Sequence, residues 1–274
     1  MLIASDGPPV DRLDSLLLLN AGVVLGWMLL FWAVSVRLRN VAIVDIGWGL
    51  GFVLVAWTSL YWTGQRPGDL RPQHWVLPVA TTIWGLRLSG YLAYRNHGQA
   101  EDKRYAAMRA KRPDSFWWRS LYIVFLLQGV IMLVVSLPLQ VGIARTEPSW
   151  SIGHLAGLLL WGVGVTFETV GDWQLLRFKR NPAHKGAVCD RGLWRYTRHP
   201  NYFGDFCVWW GLFLLADAWG TAHWTIVSPL LMSVLLMRVS GVTLLESSLR
   251  TEKRGYEDYV RRTNAFFPGP PTRP

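Results

Sequence analysis

The sequence predicts an all-α protein, a polytopic integral-membrane bundle of about seven transmembrane helices that fills residues 1–274 as one membrane-embedded domain. Three observations predict it. Half of the 274 residues (51%) are hydrophobic and seventeen are tryptophan. The apolar runs approach or exceed the roughly 18–20 residues that cross a bilayer core, whereas a soluble domain would show strand-length runs of about four to eight. The basic residues alternate by side from one loop to the next.

The runs fall at about 15–36, 41–62, 74–94, 120–141, 150–173, 203–220 and 222–243. The first follows Asp6, Asp11 and Asp14 and not a basic region, so it does not read as a secretory signal. The second opens on "VDIGWGLG", whose Gly47 and Gly51 form a small-xxx-small pair for close helix approach. The third carries "IWGLRLSGYLAYRN", and the fifth ends in "FETVGDWQLLRFKRNP". The sixth follows "GLWRYTRHPNYFGD", where Pro200 suits the first turn of a helix. Loops 95–119 and 174–202 are long enough to build a site. The stretch 244–266 reads as a charged amphipathic helix, and "FFPGPPTRP" as an irregular tail.

With seven spans, segments 37–40, 95–119, 174–202 and 238–274 share one side and hold 23 of the 28 Lys and Arg. The opposite segments hold Arg12, Arg66, Arg71 and Arg145. This bias places the N-terminus outside and the C-terminus in the cytoplasm, in the inner membrane if the source is bacterial. It also accounts for the net charge of +10 without nucleic acid, and it favours anionic headgroups or ligands on the basic face. Two cysteines, Cys189 and Cys207, give no disulfide framework and no metal spacing.

Ionisable residues inside spans are costly, by about 2.5–3.5 kcal/mol on insertion scales, and mark function by default. Asp45, Arg87 and Glu168 are of this kind, with Asp172 and Asp205 at inner span ends. At 1.5 Å per residue, Asp45 lies about 6 Å and Arg87 about 10 Å from the cytoplasmic ends of their spans. Two readings of Asp45 stand. It forms an ion pair with Arg87 that packs two helices, or it polarises a substrate group in an aromatic-lined cavity with Arg87 and Tyr91 nearby.

Past the third span, Arg95, Asp102, Arg104 and Tyr105 offer carboxylate and guanidinium groups for ribose and phosphate, while Lys103, Arg109, Lys111 and Arg112 read as solvated charge. Glu168 and Asp172, at i and i+4, repel unless they share a donor; Lys179 and Arg180 follow as phosphate candidates or ordinary membrane anchors. The stretch around Pro200 supplies Tyr196, Arg198, His199, Asn201, Tyr202 and Asp205 at a helix start, where free N–H groups and the dipole favour phosphate. Glu246 and Tyr259 complete the candidates.

"GLWRYTRHPNYFGD", with "DWQLLRFK" upstream and "GYEDYVRRTNAFFP" downstream, resembles the steroid 5-alpha-reductase superfamily, nearest its bacterial branch labelled as a domain of unknown function. The resemblance covers most of the chain from the second span onward. It implies a seven-helix enzyme holding NADPH in a cytoplasmic cavity and reducing a carbon–carbon double bond conjugated to a ketone. By motif position, Asn201, Asp205 and Asp172 match cofactor contacts, and Lys179 stands where a phosphate-binding arginine is usual. Asp45 stands where the steroid enzymes carry a glutamate that binds the substrate ketone. That glutamate's helper tyrosine would fall near Trp84, and Tyr91 is two turns on.

The R-H-P-x-Y-x-G motif also occurs in isoprenylcysteine carboxyl and phospholipid methyltransferases, so a reaction with S-adenosylmethionine is the alternative. A non-enzymatic lipid-binding or transport protein is the second. The expected partners are a lipophilic substrate and the bilayer; the sequence leaves the oligomeric state open.

Overall fold

The computed structural model describes residues 10–65, 70–145, 149–239, 246, 249, 253 and 255–272. The described residues are helical, with no strand among them. In chain order the helices are α1 (Val10–Leu38), α2 (Ile43–Thr63), α3 (Val76–Asn96), α4 (Lys103–Lys111), α5 (Phe116–Val135), α6 (Leu137–Ala144), α7 (Ile152–Arg180), α8 (Pro200–Ala216), α9 (His223–Val239) and α10 (Tyr256–Arg262). Four of them, α1 from Leu13 onward, α2, α5 and α7, are long and apolar enough to cross a membrane. This is a multi-pass membrane protein.

Several expected boundaries move, each for a local reason. The run 120–141 is two helices, because Pro138 opens α6 without an N–H and ends the preceding ladder at Ser136. Within α5, Leu121–Leu126 forms a π-helical stretch. Helix α7 continues seven residues past 173, its last turn carrying Arg177, Lys179 and Arg180 against the negative end of the dipole. Of the expected helix over 244–266, the described residues Glu246 and Leu249 are helical, and α10 covers Tyr256–Arg262. Gly255 precedes α10 at φ 75°, the left-handed region, and Thr263 ends it in an extended conformation. Most of 244–254 lies outside the described residues.

The chain divides into two compact units, Met1–Ser151 with Ala216–Thr225, and Ile152–Leu215 with Ile226–Pro274. The first is organised around α2 and α3. A Cβ on Gly49 would lie 2.7 Å from the Gly85 carbonyl, and one on Gly85 would lie 2.7 Å from the Gly49 carbonyl. The two backbones therefore touch, at a glycine between the two that the sequence singled out. Gly47 instead receives Phe31, with Trp27 Nε1 donating to the Gly47 carbonyl at 3.0 Å, and Gly51 receives Met132. Asn20 Nδ2 of α1 donates to Ser59 Oγ at 2.9 Å and Gln140 Oε1 at 3.1 Å, which partners polar groups buried among apolar helices.

The second unit rests on a glycine seam with a period of seven. In α7 these are Gly157, Gly164 and Gly171; in α8, Gly204 and Gly211. A Cβ on Gly164 would lie 2.6 Å from the Gly204 carbonyl, and one on Gly211 would lie 2.6 Å from Trp161 N. A Cβ on Gly157 would meet Leu215 N at 2.8 Å, and one on Gly171 would meet Pro200 at 3.2 Å. One seam thus brings the length of α7 onto α8 and sets the start of α8 beside Gly171.

Gly164→Ala is expected to cost about 1–3 kcal/mol through overpacking. Gly162→Ala, whose Cβ would meet nothing within 4 Å, is expected to be neutral or stabilising. Thermal unfolding of the two variants in detergent checks the contrast.

Candidate functional site

In the first unit, the short helix α4 comes to the start of α2. Glu101 accepts the backbone N–H of Val41 at 2.7 Å and binds Arg109 through both its oxygens at 2.8 Å. Arg109 also donates to the Arg39 carbonyl at 3.3 Å and lies over the Phe116 ring at 4.8 Å. Arg109 is therefore a structural clamp, not the solvated charge expected of it. Burial opposes ionisation of Glu101, but the hydrogen bonds from Arg109 and Val41 outweigh it and hold the carboxyl below its ordinary range.

The clamp delivers Tyr105 and Arg104 to Asp45. Tyr105 Oη donates to Asp45 Oδ1 at 3.1 Å, and Gln128 Nε2 of α5 donates to Tyr105 Oη at 3.3 Å. Arg104 Nη2 lies 3.7 Å from Asp45 Oδ2. Burial first, then the Asp45 charge, raises the Tyr105 phenol well above its ordinary value, so it stays protonated as a donor. Asp102 caps α4, accepting the Arg104 N–H at 2.9 Å and its guanidinium at 2.9 Å. Burial opposes ionisation of Asp102 too; the bonds from Arg104 prevail and lower its carboxyl. Arg87 and Tyr91 lie half-buried on α3, and the Arg95 guanidinium covers the Tyr91 ring at 5.7 Å.

Gln128 escaped the sequence reading, which weighed only ionisable residues within spans. A lone amide in "FLLQGVIML" was the available signal.

In the second unit, the residues before Pro200 act as a scaffold for the C-terminal segment. Trp194 Nε1 donates to the Gly171 carbonyl at 3.0 Å, and Tyr259 Oη donates to the Trp194 carbonyl. Burial raises the Tyr259 phenol, which keeps it a donor. Gly269 N donates to the carbonyl of the half-exposed Tyr196, and Thr197 Oγ1 donates to the Phe266 carbonyl at 2.7 Å. Phe266 and Phe267 pack edge-on against Phe203 and Phe206 of α8. The tail is non-helical as expected, and it is pinned.

Arg198, only 9% exposed, donates to Glu246 at 2.8 Å and to the carbonyls of Val260 and Thr263. It lies before α8 and engages the C-terminal segment, not a ligand at the helix start as the sequence suggested. His199 Nε2, as the N–H tautomer, donates to the same Glu246 oxygen at 3.2 Å, and its ring stacks on Tyr202 with centroids 5.5 Å apart. Burial opposes ionisation of Glu246. The hydrogen bonds from His199 and Arg198 overcome it and pull the carboxyl down to about 2.

Glu168 and Asp172 are buried, only 2% and 5% exposed, and a Cβ on Gly204 would strike Glu168 Cγ at 2.6 Å. Asn201, Tyr202 and Asp205 are half-buried on the first two turns of α8. Lys179 and Arg180 are exposed at the end of α7, where they line a cleft of about 320 Å3 with Asn181, Lys185 and Lys253. Cys189 and Cys207 are buried and unbridged.

The family described as "Protein of unknown function (DUF1295)" matches residues 31–263. The chain belongs to this family. The match runs from within α1 past the end of α10, so it takes in both polar groups. An uncharacterized protein of Schizosaccharomyces pombe is 25% identical, over 90% of this chain and 78% of that protein. No solved structure matches the chain.

Because the Glu246 carboxyl is lowered on folding, its contribution is present above its unfolded value of 4.5 and fades as pH falls toward about 2. Glu246→Gln is expected to cost about 1–3 kcal/mol near neutrality and to flatten the acid side of the stability curve. Thermal melts across that window check both effects.

Proposed function

We propose that this protein is an NADPH-dependent membrane reductase acting on a conjugated carbon–carbon double bond of a lipophilic ketone. The observation that carries the reading is the Tyr105–Asp45 hydrogen bond, buttressed by Gln128 at 3.3 Å. A carbonyl oxygen that gains negative charge during reduction needs donors held in place beforehand, in a site shielded from water. A phenol fixed by an amide is such a device once its one O–H turns from the Asp45 carboxyl to the bound carbonyl oxygen. Tyr105 thereby takes the helper role for which the sequence offered only the more distant Tyr91.

NADPH would supply the hydride; the protein's part is to hold and orient. The donor set of the second unit fits that group. Lys179, Arg180, Lys185 and Lys253 around one cleft suit phosphates, and the buried carboxylates Glu168 and Asp172 suit hydroxyl or carboxamide donors. Asn201 and Asp205 flank them on α8. The resemblance to the steroid 5-alpha-reductase superfamily supports the same assignment. In this reading α3, α8 and α9 join the four long helices as spans, with the N-terminus outside and the basic loops in the cytoplasm.

Purified protein in detergent at a hundred times the NADPH dissociation constant is expected to gain about 2.7 kcal/mol of stability. Asn201→Ala and Asp205→Ala should abolish the gain. Stabilisation by S-adenosylmethionine and not by NADPH would transfer the motif to a methyltransferase. Tyr105→Phe is expected to keep the NADPH shift while lowering kcat on an enone about 10²–10³-fold, the loss typical of one transition-state donor. An unchanged kcat would remove Tyr105 from the chemistry.

A further inference from the structure

Where α1 ends and α5 begins, a cleft of about 480 Å3 opens among Ser35, Val36, Arg39, Arg109, Pro113 and Trp117. It lies within the first unit and apart from the Asp45 group. Trp32 Nε1 donates to the Trp117 carbonyl at 3.0 Å and ties the two helix ends together. Both helices are long and apolar enough to cross a membrane, so their joined ends lie at its surface. The exposed rings there agree: Trp117, Trp118 and Tyr122 are 52%, 43% and 44% exposed. Trp and Tyr collect at the headgroup level of a bilayer.

The charges in the cleft are unequal. Glu101 neutralises Arg109, whose clamp also holds the Arg39 carbonyl. Arg39 sits in the left-handed region at φ 52°, and among the described residues its guanidinium has no acceptor. The indole N–H of Trp117 likewise has none among them. The uncompensated Arg39 and the ring of Trp117 thus line a cleft whose apolar rim is Val36, Val41 and Pro113.

We propose that this cleft binds the phosphodiester of an anionic membrane phospholipid. Arg39 and the Trp117 indole N–H donate to its phosphate oxygens, and its acyl chains run along the exposed apolar surface of α1 and α5. The apolar rim selects a lipid over free phosphate.

Native mass spectrometry of the full chain in detergent, titrated with phosphatidylglycerol, tests this. Arg39→Gln is expected to weaken lipid retention about fivefold, the effect of one interfacial cation. Trp117→Phe, which keeps the ring and removes the N–H, should weaken it in the same direction and decides the matter if Arg39→Gln fails to fold. Lys111→Gln, which removes an equal charge outside the cleft, should leave retention unchanged. Equal retention in wild type, Arg39→Gln and Trp117→Phe would overturn the proposal. So would an equal loss in Lys111→Gln, or displacement of the lipid by inorganic phosphate.

Discussion

Apolar helices in lipid gain nothing hydrophobic by touching, because lipid tails are as apolar as leucine. What remains is close packing, and in this chain close packing is set by glycine. Along Gly157 and Gly164 of α7 and Gly204 and Gly211 of α8 the backbones approach so nearly that an added Cβ would overlap the partner's main chain, and at Gly171 it would press on the Pro200 ring. That seam leaves Glu168 and Asp172 buried and places the start of α8 beside them. It also sets Trp194 on the Gly171 carbonyl. The polar groups of the second unit hang from this contact.

The stretch 192–205 shows how one segment divides its labour. Trp194, Tyr196, Thr197 and Arg198 face the C-terminal segment, where their bonds to residues 246–269 fold the tail back onto α8. Asn201, Tyr202 and Asp205 remain on the opening turns of the helix. The first half of a dense run of hydrogen-bonding residues is thus architecture, and the second half lies on the helix. His199 joins the halves, since its ring contacts both Glu246 and Tyr202. In the first unit the division is similar. Glu101 and Arg109 fix α4, and the fixed helix presents Tyr105 to Asp45.

Much of this was legible in the sequence. Apolar run lengths identify the four helices long enough to cross a membrane, since span length is set by bilayer thickness and not by tertiary detail. Pro200 at the first position of α8 follows from its missing N–H. Glu168 and Asp172 announce themselves as charges in an apolar helix. Other features were not legible, for physical reasons. Helix α4 has nine residues, too few for a periodic signal, so nothing local ties Tyr105 to a carboxyl sixty residues away. Gly49 was hidden between two better-looking glycines, because which glycine meets the neighbour depends on the rotation of α2 against α3. Arg109 resembled every other loop cation until its partner across the loop was known.

The proposed activity is hydride transfer from NADPH to the β-carbon of a lipophilic enone. The most direct measurement is isotope transfer. Purified protein in lipid nanodiscs would be given NADPH deuterated at one or the other face of C4, together with a lipophilic enone, and the product analysed by mass spectrometry. The account predicts one deuterium at the β-carbon from one of the two labelled forms. Turnover without label from either form, or methylation of an acceptor by S-adenosylmethionine in its place, would contradict it.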